Sequence, residues 1–274
     1  MILGGLGRAL LARCGYSVVH SSMLDQFISD RVPMLRDYRR EVAERRADMQ
    51  SDARFMLLYE RCAPFTMTSM ERMYALYQSV CHIVSARTPG SMVECGVWRG
   101  GSMMLVAHTL IELGETTRDL LLYDTFRGLP APSVLDTDYA GVPADAEWRA
   151  NQRAGHNEWC YASLDEVRRN MASTGYDPTR VRYVEGMVED TIPKVVPEQV
   201  AVLRLDTDFY ESTRHEMAHL YPRLVPAGVL VIDDYGHWQG QRRAIDEYFA
   251  ASCERVLLHR VDYACRIGQK GVPG

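Results

Sequence analysis

The 274-residue chain has no apolar run approaching the roughly 20 residues that span a bilayer, so no integral membrane segment is expected. Its opening stretch, MILGGLGRALLARCGYSVV, is apolar in places. Arg8 and Arg13 interrupt it and no small-residue cleavage site follows, so it reads as a peripheral amphipathic helix and not as a leader, with a weak membrane-surface contact as the alternative. Paired cysteines are also missing. The seven present (Cys14, Cys62, Cys81, Cys95, Cys160, Cys253 and Cys265) are odd in number and scattered, and no Cys-x-x-Cys occurs. That argues against a disulfide framework and a thiolate zinc site, and it suits a reducing cytoplasm. There is no extended basic block: the net charge is −5, with both signs interspersed, so nucleic acid is not an expected partner. Repeats and low-complexity tracts are absent as well.

The chain does carry 47% hydrophobic residues, enough to fill the core of one sizeable domain with an extension. Residues 35–62 are charged at helical spacing. In 69–87, Met73, Leu76, Tyr77, Val80 and Val84 share one face, with Ser69 placed to cap, so both stretches are predicted helices. From residue 91 short β-rich runs alternate with helical ones: SMVECGV, DLLLYDTF, VRYVEGM, VAVLRLD and GVLVIDDY. This alternation predicts an α/β fold, a doubly wound parallel sheet with helices on both faces. The final RVLLHRVDYACRIGQ lacks an intervening helix and predicts an antiparallel edge pair. Residues 128–160, rich in Pro, Gly, Ala and Asp, form one long irregular segment of the kind used as a lid or binding loop.

Two of the apolar runs end in acids. LRLDTDFYEST places Asp206 at the end of one strand and Asp208 two residues beyond it on the same side of extended backbone, and VLVIDD places Asp233 and Asp234 at the end of another. Ligands of such sheets bind outside the carboxyl ends of the strands, where these acids lie. The first strand leads into VECGVWRGGSMM, in which Gly96 permits a tight turn, Gly100 a close backbone approach, and a helix amino end follows at Ser102. The dinucleotide fingerprint G-x-G-x-x-G is not met, because Glu94 stands at its first glycine. An acid there repels a pyrophosphate and suits a cationic ligand such as S-adenosylmethionine. Asp124, ending the second strand, holds the position of the acid that grips ribose hydroxyls, and Trp98 beside the turn can cover the cofactor.

Together VECGVWRGGS, YDTFRGLPAPS, VEGMVEDTIP, RLDTDFYEST, HLYPRLVPAGVLVIDDYG and GQRRAIDEYF resemble, from about residue 64 to 252 and in the expected order, the macrocin-type (TylF-like) O-methyltransferases. That family includes macrolide-sugar and novobiocin-sugar enzymes. The resemblance implies a class I methyltransferase domain over 61–274 behind a helical extension, 1–60, that matches no diagnostic motif. It implies S-adenosylmethionine and Mg2+ as cofactors, with transfer of a methyl group to a hydroxyl of a deoxysugar on a natural product. By position, Asp206, Asp233 and Asp234 resemble the family's metal ligands and Asp208 its proposed general base. Thr68, Glu94, Gly96, Trp98, Gly100, Ser102, Asp124 and Thr125 fall on its cofactor site, with Ser163 and Asp190 at its adenine positions.

The chemistry asks for such a set. A sugar hydroxyl is a poor nucleophile at neutral pH. Magnesium prefers hard oxygens, keeps open positions, and acidifies a bound hydroxyl whose proton a nearby carboxylate can take. A catechol-type phenol would chelate in the same way and stands as the alternative acceptor. A rival motif, HEMAH at 215–219, matches the H-E-x-x-H zinc signature. Met217, Leu220, Tyr221 and Leu224 form that helix's apolar stripe, the histidines project oppositely, and no third ligand follows at a familiar spacing, so a zinc hydrolase is the remote alternative. A noncatalytic interaction protein would bind the cofactor without turnover. Met56, Leu57, Leu58, Tyr59 and Phe65 add apolar surface to the charged helices, from which a homodimer or higher even oligomer is expected.

Overall fold

A computed structural model describes residues 46–252, 254 and 256–272. The chain divides into two units, Met1–Ser51 and Asp52–Gly274. Of the first, only residues 46–51 are described, with a short helix at Ala47–Ser51. The amphipathic helix expected at the amino terminus lies outside the described residues.

The second unit opens with α1 (Ala53–Cys62), whose amino end is capped by Asp52 accepting from the Phe55 amide at 3.0 Å. Leu58 is buried while Leu57 remains 48% exposed, so the apolar residues singled out there divide between core and surface. In α2 (Met70–Ser85) Ser69 caps as expected, accepting from Arg72 N at 3.2 Å. Met73, Leu76, Tyr77, Val80 and Ile83 form its buried face, with Val84 half-buried beside them.

A regular alternation follows: β1 (Ser91–Cys95), α3 (Gly101–Glu112), β2 (Leu120–Asp124), then a long loop containing α4 (Asp145–Ala150). After it come α5 (Leu164–Ala172), β3 (Val181–Glu185), α6 (Val188–Thr191), β4 (Val200–Leu205) and α7 (Tyr210–His219). The chain ends with β5 (Leu224–Ile232), α8 (Gln239–Ala251), β6 (His259–Arg260) and β7 (Arg266–Gln269). The strand order is β3-β2-β1-β4-β5-β7-β6. The first five strands are parallel; β7 joins β5, and β6 joins β7, antiparallel, as the lack of an intervening helix predicts. The sheet is Rossmann-like, with an antiparallel carboxy-terminal edge.

Side chains alternate across the strands. Val93, Cys95, Leu121, Tyr123, Leu203, Leu205, Leu230 and Ile232 form one face and pack with Met217 of α7 and Ile245 of α8. On the opposite face Glu94 of β1 lies in register with Arg204 of β4. A charged residue in a wholly buried strand must find a partner, and this register supplies it.

The segment expected to be irregular, 128–160, is more ordered than its composition suggests. Besides α4 it holds an antiparallel hairpin, Gln152–Arg153 against His156–Asn157, and bridges Thr137 to Pro143 and Asp138 to Trp238. Leu129, Ala144 and Trp159 pack with Phe209 and Trp238. Gly128, at φ +80°, runs so close to the Asn157 carbonyl that an added Cβ would stand 1.8 Å from its oxygen. Asp136 is the anchor. It is 1% exposed, takes Ser133 N at 2.6 Å and Ser133 Oγ at 2.8 Å on Oδ2, and takes Tyr210 N at 2.7 Å on Oδ1. It therefore caps α7 from a distance and ties the loop beside the strand-end acids. Asp136→Ala should cost about 2–4 kcal/mol, the loss of several hydrogen bonds to a buried carboxylate. An unchanged denaturant midpoint would contradict this role.

Candidate active site

The carboxyl ends of the four adjacent strands β2, β1, β4 and β5 are level with one another, since the ladder continues one residue beyond each. Gly96 N donates to Tyr123 O at 2.8 Å, Asp206 N to Cys95 O at 2.9 Å, and Asp233 N to Leu205 O at 3.0 Å. Above these ends opens a cleft of about 760 Å³. Ten carboxyl groups line it against two guanidinium groups, Arg72 and Arg204, so it carries excess negative charge.

On one side of the cleft the β1–α3 turn forms the wall. Gly96, at φ +79°, crosses so near β4 that an added Cβ would stand 2.1 Å from the Asp206 carbonyl oxygen, which only glycine allows. Gly100, also left-handed at φ +86°, starts α3. Asp124 holds the turn: its Oδ2 accepts from Val97 N at 2.7 Å and Trp98 N at 3.2 Å, and its Oδ1 from Phe126 N at 2.7 Å. Burial pushes its carboxyl above the ordinary range against those donors. Glu94 gives one oxygen to Arg204, while its Oε2 is buried with no hydrogen-bond partner. Burial pushes the Glu94 carboxyl up to about 7, with Arg204 opposing. An orphaned acid oxygen at the floor of the cleft fits a cationic or N–H-bearing ligand.

Of the expected cofactor residues, Thr68, Glu94, Gly96, Trp98, Ser102, Asp124 and Thr125 line the cleft. Gly100, the residue before α3, does not line it, and two more stand elsewhere. Ser163 caps α5, accepting from Glu166 N at 3.3 Å, and borders a separate small depression. Asp190 is exposed, and the neighbouring Glu189 lines the cleft in its place, because the one-turn helix α6 rotates consecutive residues apart.

On the other side stand the four acids. Asp206, Asp208 and Asp234 each offer an oxygen within 4.8 Å of the others. Asp233 is placed differently: it is 3% exposed, its Oδ1 accepts from Arg204 at 2.6 Å and its Oδ2 from Arg72. Arg204 also reaches Asp206 Oδ2 at 2.8 Å and Thr68 Oγ1 at 3.1 Å. Arg72 further holds Asp262 at 2.7 Å and approaches Asp234 at 3.5 Å. Burial and mutual repulsion push the carboxyls of Asp206 and Asp234 well above their ordinary range, and burial and Asp206 push Asp208 up to about 7. Asp208 does not continue the extended strand beyond Asp206. The strand ends at Leu205, and Asp208 is left-handed at φ +66°, so a tight turn presents both acids.

Arg72, Arg204 and Asp262 were not anticipated. Arg204 had a signal, a charge inside the apolar run VAVLRL, whereas Arg72 and Asp262 are 190 residues apart and only folding joins them. The H-E-x-x-H helix does not build a zinc site. His215 and His219 lie side by side and half-buried, with His215 Nε2 2.9 Å from the Ile192 carbonyl oxygen. Glu216 is fully buried on the other side and hydrogen-bonds Thr207, so it is not turned toward a water between the histidines.

Comparison with known proteins agrees with this architecture. The 8-demethyl-8-(2,3-dimethoxy-alpha-L-rhamnosyl)-tetracenomycin-C 4'-O-methyltransferase of Streptomyces olivaceus is 36% identical over 170 residues, which span 62% of each chain. The mycinamicin III 3''-O-methyltransferase of Micromonospora griseorubida is 36% identical over 185 residues, 67% of this chain and 69% of that one. The solved structure of the O-methyltransferase NovP superposes with a TM-score of 0.65 at 28% identity, covering 76% of this chain and 83% of that chain. Residues 17–270, nearly the whole length, match the profile of one family, and the chain belongs to it: the macrocin-O-methyltransferase (TylF) family.

Proposed function

We propose that this chain transfers a methyl group from S-adenosylmethionine to a sugar hydroxyl of a natural product, with a magnesium ion held among the strand-end acids. The observation that carries the reading is the convergence of Asp206, Asp208 and Asp234 within 4.8 Å, in one cleft with the glycine turn, Glu94 and Asp124. The donor set fits a hard divalent cation, being carboxylate oxygen throughout and short of positive charge. The relatives named above, one a methyltransferase of a rhamnosyl-bearing compound, support a sugar as acceptor.

When bound, magnesium supplies Lewis acidity toward a hydroxyl oxygen and S-adenosylmethionine supplies the methyl group. The residues of the chain do the rest. Glu94, Asp124, Thr68 and Ser102, with the backbone of Gly96 and Trp98, orient the cofactor. Asp206 and Asp234 of the converging acids, joined by Asp233 once it is freed, are the proposed metal ligands, and Asp208 beside them takes the hydroxyl proton on a carboxylate oxygen. Trp159, Phe209 and Trp238 meet edge to face at 5.6–6.3 Å and shield the acids from bulk water.

Asp233 is available to a cation only on release from Arg72, so the guanidinium competes for it. Arg72→Gln should therefore raise the affinity for Mn2+ by about tenfold, the worth of one displaced charged hydrogen bond, as read by calorimetry. Weaker binding in the variant would argue that Arg72 supports the site instead. The function itself is tested with methyl-labelled S-adenosylmethionine and a panel of glycosides and catechols. Labelled glycoside should form and chelator should stop it reversibly. Full transfer in the presence of chelator would remove the metal from the scheme, and transfer to catechols alone would move the acceptor to phenols.

A further inference from the structure

Behind the strand-end turn lies a carboxyl group for which the proposed chemistry has no use. Glu216, on α7, is fully buried, and its Oε2 accepts a hydrogen bond from Thr207 Oγ1 at 3.1 Å. The thiol of Cys95, at the end of β1, lies near the same carboxyl, and Oε1 has no hydrogen-bond partner. Its helix neighbours Met217 and Leu220 fill the adjoining core with apolar groups, as packing against a sheet favours. A carboxyl there costs desolvation that an apolar side chain would not.

Its contact explains what it does. Thr207 is the residue between Asp206 and Asp208. On the cleft side the turn is fixed at its ends: the Asp206 carbonyl abuts Gly96, and Phe209 N donates to the Thr207 carbonyl at 2.7 Å. Asp208 stands at φ +66°, a conformation that costs an L-residue energy and needs surrounding contacts to hold it. The Thr207 hydroxyl, turned toward α7, is the side-chain tie at the centre of this turn. Ser212 Oγ adds a longer contact to the Thr207 carbonyl at 3.4 Å.

We propose that Glu216 is a positioning residue: by holding Thr207 from behind, it fixes where Asp206 and Asp208 stand and so sets the affinity of the cleft for a divalent cation. The last part rests on the reading of the acidic cluster as a cation site. Burial and the nearby Glu189 push the Glu216 carboxyl well above its ordinary range, so a neutral amide of the same shape is a fair substitute.

The test uses the full chain, without acceptor, in four variants: Glu216→Met, Glu216→Gln, Thr207→Val and the Glu216→Met/Thr207→Val double variant. Two quantities are read: hydrogen exchange of the amides at 207–210 and the affinity for Mn2+. Glu216→Met and Thr207→Val should each speed exchange at the turn by about tenfold, the worth of one hydrogen bond, and the double variant should add nothing further. Glu216→Gln should keep the wild-type protection. Mn2+ affinity should fall by about 10–100-fold with loss of the tie, as when groups that orient metal ligands are removed. Wild-type exchange at the turn in Thr207→Val would overturn the proposal even if Glu216→Met fails to fold. So would a Gln variant as impaired as the Met variant. If the exchange pattern holds but the wild type binds no Mn2+, the tie stands and the cation reading falls.

Discussion

Asp208→Asn should lower the rate of methyl transfer by about 10²–10⁴, the usual contribution of a positioned general base, while cofactor and divalent cation still bind. The substitution keeps the size of the side chain and leaves Asp206, Asp233 and Asp234 in place. Burial with repulsion from Asp206 pushes the Asp208 carboxyl up to about 7 in the metal-free cleft, and a bound dication would draw it back toward the carboxylate form that a base needs. Its left-handed backbone, φ +66°, is one that Asn adopts as readily as Asp, so the turn should survive. Single-turnover measurement separates the chemical step from product release. A near-normal single-turnover rate would withdraw the assignment of Asp208 as base, and a lost cation affinity would make it a ligand instead, as its place in the three-acid cluster also allows.

Arg204→Met should destabilise the fold by about 3–5 kcal/mol, because it leaves buried acids without their counter-charge. Arg204 is 3% exposed and bonds three carboxylates, Glu94, Asp206 and Asp233, from one guanidinium. Methionine fills much of the volume, so packing alone cannot account for a loss of that size. The deficit should depend on pH with a definite sign. Glu94 titrates at 4.5 in the ordinary case and at about 7 in the fold, so between these values the folded state holds more protons than the unfolded state and stability falls as pH rises. Arg204 lowers the Glu94 value, so its removal raises it further and carries the loss above 7. Denaturant titrations should find the deficit largest at about pH 8 and smaller at about pH 5, where the carboxyls take up protons instead. An equal deficit at both would mean that the guanidinium is not neutralising these acids.

Much of this was legible before folding was considered. A run such as VAVLRLD is short, apolar and rich in β-branched residues, as a strand buried on both faces requires, and its alternation with helical stretches leaves a parallel sheet as the way to cover every strand on both faces. The carboxyl ends of such strands must share one edge, so the convergence of Glu94, Asp124, Asp206 and Asp233 followed from chain order alone. Periodicity is local, and so the reading failed wherever a contact was not. Asp208 was expected on extended backbone beyond Asp206, but the strand ends at Leu205 and its ladder at Asp206, and a turn braced by Gly96 of the β1–α3 turn and Glu216 of α7 presents it instead. The loop at 128–160 was expected to be irregular, but Asp136 ties it to Tyr210 of α7, Trp159 packs on Phe209 and Trp238 at the starts of α7 and α8, and Trp148 ties the loop to itself through the Leu129 carbonyl.

The sequence by itself determined the sheet, its order of elements and the edge at which acids gather, because burial and strand length act within a few residues. Only the tertiary structure decided which acids face one another and which are neutralised. Asp233 and Asp234 are adjacent in the chain, yet one is bound between Arg72 and Arg204 and the other joins Asp206 and Asp208. Electrostatic pairing depends on separation in space, and Arg72, Arg204 and Asp262 reach this site from helix, strand and loop more than 50 residues apart in sequence.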